Sequence, residues 1–134
     1  MADNHNIHLR IITPDRIFFE GDVDMVEFNT TEGEIGVLPG HIPLTVIVKP
    51  GILVFNDGEE EKEAALHSGF AEILPDKVTI LAEIIEWPEE IDEQRAEEAM
   101  NRAKERIAGH NPETDMVRAQ AALMRAMARI EVLK

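Results

Sequence analysis

The 134-residue chain carries 27 acidic and 13 basic side chains, a formal charge of −14, with 44% hydrophobic residues and no cysteine. That length allows one modest core plus an appendage, and the lack of thiols excludes a disulfide framework, a thiolate nucleophile and a thiolate metal site. The acidity excludes nucleic acid as the natural partner, because a polyanion is bound through clustered Lys and Arg that displace its counterions.

From Ile7 to Glu86 short runs rich in Val, Ile, Phe and Thr alternate with turn residues. The runs Ile7–Thr13, Asp22–Asn29, Gly33–Leu38, Thr45–Val48, Ile52–Phe55, Lys62–Leu66, Phe70–Leu74 and Val78–Ile84 read as strands. Between them Thr13-Pro14-Asp15, Lys49-Pro50-Gly51, Asn56-Asp57-Gly58 and Leu74-Pro75-Asp76 supply turn chemistry. So many short strands predict a β-sandwich or flattened barrel, with Val23, Met25 and Phe28 facing inward in their run. At Trp87-Pro88 the apolar period changes from two to three and four, which divides the chain into a β domain at 1–87 and a helical part at 88–134. Asp92 reads as the N-cap of a helix carrying Ala96, Ala99, Met100, Ala103 and Ile107 on one face, ended at Ala108-Gly109-His110. Asn111 then caps a second helix with Pro112 in its first turn, running to about Val132, so that the pair forms an antiparallel hairpin.

The second helix is rich in alanine, with Ala119, Ala121, Ala122, Ala126 and Ala128 among Leu123, Met124, Met127 and Ile130. At about 25 cal/mol per Å², such a face buries little free energy, so the hairpin is expected to be held weakly, as a mobile switch or as a simple cap. Charge is also uneven. Residues 1–88 hold 5 basic and 17 acidic side chains and residues 89–134 hold 8 and 10, while Met116–Lys134 is basic.

Little here looks like an enzyme. Gly33–His41 lacks the Lys-Ser/Thr ending of a phosphate loop, Pro39-Gly40 and Ile42-Pro43 read as a rigid turn between strands, and Glu59-Glu60-Glu61 reads as a solvated hairpin tip. His41 and His67 have no partner at metal-ligand spacing, and His5 and His8 lie near the N-terminus, so neither a metal nor a catalytic cofactor is expected. The N-terminal residues lack a secretion-signal pattern and no apolar run reaches about 18 residues, which points to a cytoplasmic location. Arg95 and Arg102 are seven apart, and Arg118, Arg125 and Arg129 follow at seven and four. Converging guanidiniums can hold a polyphosphate, and the same spacings also suit salt bridges to Glu98, Glu105 and Glu131.

Gly33-Glu-Ile-Gly-Val-Leu-Pro-Gly-His-Ile-Pro-Leu44 resembles the ε subunits of bacterial F-type ATP synthases, as do Thr13-Pro14-Asp15, Ser68-Gly69-Phe70, Val78–Ala82 and the helical tail, in that order. The resemblance implies a ten-stranded sandwich bound to the γ subunit and resting on the ring of c subunits, peripheral to the cytoplasmic face of the cell membrane. It also implies a hairpin that can extend along γ toward the α3β3 head and inhibit ATP hydrolysis, its basic tip meeting an acidic surface of a β subunit. Ile91-Asp92-Glu93-Gln94-Arg95-Ala96 is similar to the ATP-binding motif of the Bacillus-type branch. By that resemblance ATP is a regulatory ligand, with Glu86, Ile91, Asp92 and Ala96 at the adenosine end and Arg95, Arg102, Arg125 and Arg129 mainly on the phosphates; a role for Mg²⁺ is left open.

Overall fold

In the computed structural model residues 6–134 are described, and His5 lies outside them. Strand β1 (Ile7–Ile12) buries Ile7, Leu9 and Ile11 and turns His8 and Arg10 away, the two-residue period of a strand with one core face. It pairs antiparallel with β2 (Ile17–Val23), of which only Asp22 and Val23 lie in an expected run. The expected strand Asp22–Asn29 is in fact the end of β2 and most of β3 (Val26–Thr30). The break at Asp24-Met25 shifts the alternation by one residue. Val23, Val26 and Phe28 therefore face the core, and Met25 is only half-buried.

Strand β4 (Gly33–Val37) pairs with β3 and matches the expected run Gly33–Leu38, with the expected turn residues Pro39-Gly40 and Ile42-Pro43 beyond it. The connection Leu38–Pro43 follows, with Gly40 at φ 86° and its N–H donating to the carbonyl of Pro75 at 2.7 Å. Strands β5 (Leu44–Val48), β6 (Gly51–Asp57), β7 (Glu60–Leu66), β8 (Gly69–Leu74) and β9 (Lys77–Ala82) match the expected runs to within a few residues. The short β10 (Ile85–Glu86) pairs with Leu66 and Ala65 of β7. Two residues carry no period, so it was invisible in the sequence.

The ten strands form one hydrogen-bonded path, β10-β7-β6-β3-β5-β8-β9-β1-β2, with β4 beside β3 and a parallel β1–β9 pair. The path folds over on itself until β2 faces β6 across the core, where the rings of Phe19 and Phe55 lie 4.5 Å apart. Ile7, Leu9, Phe28, Leu53, Phe55, Ile73 and Ile80 fill the space between the layers and are fully buried.

Trp87 is extended, as the following proline requires, and Pro88–Glu90 make a single 3-10 turn. Helix α1 (Glu93–Ala108) is capped by Asp92, whose side chain accepts the N–H of Arg95 at 3.1 Å. Helix α2 (Met116–Val132) starts four residues later than expected. Asp115 is its cap, accepting the N–H of Arg118, whereas Asn111 spends its side-chain oxygen on an Asx turn to the N–H of Glu113. Ala96 and Ala103 of α1 and Ala119 and Ala126 of α2 are buried, each pair seven apart, which lets the two helices approach closely. Helix α2 also packs on β6 and β7. Ile52-Leu53-Val54-Phe55 is continuously apolar because Leu53 and Phe55 face the core while Ile52 and Val54 meet the side carrying Met124, Met127 and Ala128. No helix among the described residues is long and apolar enough to cross a membrane.

Candidate functional site

Where α1 leaves the sandwich and α2 returns to it, the chain encloses a cleft of about 380 Å³ lined by Glu86, Glu90, Ile91, Asp92, Arg95, Ala96, Ala99, Arg102 and Arg129. The capping turn at Asp92 sets Arg95 one helical turn into α1, and Arg102 follows two turns later on the same side. Arg129 reaches in from α2. Small Ala96 and Ala99 keep the wall of α1 open.

Glu86 is the junction of the site. Its Oε1 accepts the Nε–H of Arg129 at 2.7 Å and the Nε2–H of His67 at 3.0 Å. His67, at the end of β7, is fully buried, and its Nδ1 has no partner among the described residues. Burial pushes the Glu86 carboxyl up, but the hydrogen bonds from His67 and Arg129 and their charge outweigh it and hold the group below the ordinary carboxylate range. Sequence reasoning assigned His67 no role. The available signal was its place at the end of the apolar run Ala64–Leu66, where an unpaired imidazole would be costly.

Beside the cleft Glu90 clamps the connection between the domains. Both its oxygens accept from Arg16 at 2.9 Å, and Oε1 also accepts the Trp87 N–H at 2.9 Å. The bonds from Arg16 and then from Trp87 lower the Glu90 carboxyl. Trp87 turns toward the sandwich, stacked on Phe18 at 4.1 Å between ring centres, with Lys62 over its face.

The arginines are unspent. Among the described residues Arg95, Arg102, Arg106, Arg118 and Arg125 have no carboxylate within 4.0 Å, so the salt bridges to Glu98, Glu105 and Glu131 that their spacing allowed are not made. Arg125 is the one expected site residue outside the cleft. It lines a neighbouring groove of about 630 Å³ with Arg106, Arg118, Asn111 and Thr114, so Arg118, Arg125 and Arg129 do not share one opening. The cleft thus offers free guanidiniums for an anion, apolar Ile91, Ala96 and Ala99 for a ring, and a carboxylate whose Oε2 has no hydrogen-bond partner among the described residues. Among these residues no three His, Asp or Glu side chains lie close enough to hold a metal ion. Glu86 and Arg129, expected at opposite ends of a ligand, are hydrogen-bonded to each other.

A second surface lies on the sheet. Ile47, Phe70, Leu81, Ile12 and Ile17 are successive cross-strand partners from β5 to β2, and four of them are more than half exposed. Leu38 and Ile42 in the β4–β5 connection are more exposed still.

Family models for the ATP synthase Delta/Epsilon chain match the sequence over residues 6–88 (beta-sandwich domain) and 89–134 (long alpha-helix domain). Among similar proteins is the ATP synthase epsilon chain of Caldanaerobacter subterraneus, 44% identical over 93% of this chain and 91% of that one. That of Halalkalibacterium halodurans is 43% identical, covering 94% and 96%. Among solved structures, a chain of the Euglena gracilis mitochondrial ATP synthase, determined as OSCP/F1/c-ring, superposes with a TM-score of 0.77 at 26% identity over 99% of this chain and 82% of that one.

Proposed function

This chain belongs to the ATP synthase Delta/Epsilon family, as an epsilon-type non-catalytic subunit of the central stalk, and from that premise we propose how its two parts work. The sandwich joins the γ subunit to the c-ring at the cytoplasmic face of a bacterial membrane. The exposed apolar row from Ile47 to Ile17 supports this reading, because an uncovered face of that kind is a docking surface. The hairpin is an inhibitory arm that blocks ATP hydrolysis when it extends toward the α3β3 head and meets the acidic surface of β.

ATP stabilises the folded arm by binding the cleft. The observation that carries this reading is the unpaired state of Arg95 and Arg102 beside apolar Ile91, Ala96 and Ala99, since free guanidiniums next to a ring-sized apolar wall suit a nucleotide. Arg125 in the adjoining groove is one helical turn from Arg129 and extends the basic wall. ATP that binds only the folded arm at 100 times its dissociation constant adds about 2.7 kcal/mol to that state. The Glu86–Arg129 pair favours a second reading, an arm held by protein contacts alone and indifferent to ATP. Calorimetry with ATP, ADP and GTP on the isolated chain and on Arg125→Ala separates the two. Selective heat with ATP, weakened in the variant, is expected; no heat with millimolar nucleotide would leave the ATP-indifferent arm. Truncation after Trp87 should raise hydrolysis by the complex, and unchanged hydrolysis would refute the inhibitory arm.

A further inference from the structure

We propose that His67 is a positioning residue for the arm: through Glu86 it sets the place of Arg129, so that a histidine inside the sandwich governs how firmly α2 is docked. Three observations carry this. His67 is fully buried and its backbone N–H donates to the carbonyl of Ile84, which fixes the residue against the approach to β10. Its Nε2 is 3.0 Å from Glu86 Oε1, and because an ionised carboxylate only accepts, Nε2 carries the hydrogen. The same oxygen receives Arg129 Nε at 2.7 Å, the direct ion pair between the sandwich and α2 among the described residues.

With Nδ1 unpartnered, the imidazole's side-chain polarity serves only the bond to Glu86. Glu86 sits on a two-residue strand at the end of the sheet, where the backbone alone fixes it weakly. A second donor on Oε1 removes the carboxylate's freedom to turn into solvent and holds it where Arg129 arrives. The docking role stands on this geometry alone, and its effect on nucleotide binding rests on the function proposed above.

The test uses the full chain without nucleotide and reads hydrogen exchange of the α2 amides. His67→Gln places an amide N–H near the position of Nε2, whereas in His67→Asn the amide reaches only the position of Nδ1. His67→Asn should speed α2 exchange roughly tenfold, the loss of one hydrogen bond to a charged group, and His67→Gln should stay within about twofold of the parent. In an Arg129→Met background the two variants should exchange alike, because the link beyond Glu86 is already cut. A purely structural histidine would speed exchange equally in both backgrounds, and that result, or unchanged exchange in His67→Asn, overturns the proposal. A readout free of histidine substitution guards against misfolding: the ring nitrogen shifts of His67 should show the Nε2–H form and move on Arg129→Met. Unmoved shifts would overturn it too. Since no nucleotide is present, failure here is distinct from failure of ATP binding.

Discussion

Arg102→Ala and Arg129→Ala remove the same charge from the same cleft, yet their effects should divide cleanly. Arg102 has no carboxylate within 4.0 Å among the described residues, so its loss should change arm docking by no more than about 0.5 kcal/mol. Arg129 donates to Glu86 at 2.7 Å, with both side chains about three-quarters covered at 26% and 24% exposure. Exposed pairs contribute about 0–1 kcal/mol, and breaking a fully buried pair costs about 3–5 kcal/mol. A pair between those limits gives about 2 kcal/mol, or roughly a 30-fold shift from docked to undocked arm. In the proposed ATP complex each guanidinium would supply a charge-assisted bond to phosphate, so either variant should weaken ATP binding by about 1.5–3 kcal/mol, with Arg129→Ala losing the docking term in addition. A label pair spanning α2 and β6 measures docking without nucleotide, and calorimetry gives the affinity. Equal docking in the two variants would refute the assignment of the Glu86–Arg129 pair as the arm's anchor.

Acid should release the arm. The Glu86 carboxyl lies below its ordinary range in the folded state, so its contribution is fully present above the unfolded value and is lost as pH falls through the lower folded value. Once divided by the pH-dependent intrinsic exchange rate, the opening of the α2 amides should therefore hold steady near pH 5 and rise below about 4, and an opening constant unchanged down to about pH 3 would contradict the pairing. Gly69→Ala should destabilise the sandwich by more than about 3 kcal/mol in thermal unfolding, because φ is 154° and an added Cβ would collide with the Leu81 carbonyl. Trp87→Ala should cost about 2 kcal/mol in the same assay, through loss of the stack on Phe18 and contact with Phe55, and a loss under about 0.5 kcal/mol would mean that the stack is not formed in solution.

Most of the fold was legible because strands with one buried face and helices with one apolar stripe print their periods on the sequence. The misses have local causes. The β2–β3 break at Asp24-Met25 hid because acids on either side of Val23 mimic one continued alternation. The second helix was begun too early because Asn111-Pro112 is as good a cap signal as Thr114-Asp115, and only the Asx turn made by Asn111 decides between them. Of the site, the Arg95–Arg102 wall followed from helical spacing, whereas the separation of Arg125 from Arg129 depends on where α2 crosses the sheet, which spacing along one helix does not fix. His67 was hidden for a similar reason. Its partner lies 19 residues away on a strand too short to predict.

The alanine-rich seam joins α1 to α2 within the arm, whereas among the described residues the ion pair that ties α2 to the sandwich is Glu86–Arg129. That sets a condition on the proposed ligand. A ligand that broke the Glu86–Arg129 pair would forfeit the roughly 2 kcal/mol assigned to it, about 30-fold in its own affinity, and would dock the arm only at correspondingly higher concentration. The geometry avoids the conflict, because Arg129 uses Nε for Glu86 and its two terminal nitrogens have no hydrogen-bond partner among the described residues. A guanidinium can serve a carboxylate and a phosphate together along different edges, and an ammonium presents one compact charge to both. Arg129→Lys should therefore keep either nucleotide-free docking or ATP affinity near the parent value but lose the other by about tenfold. Parent-like values of both would show that Arg129 does not bridge the two.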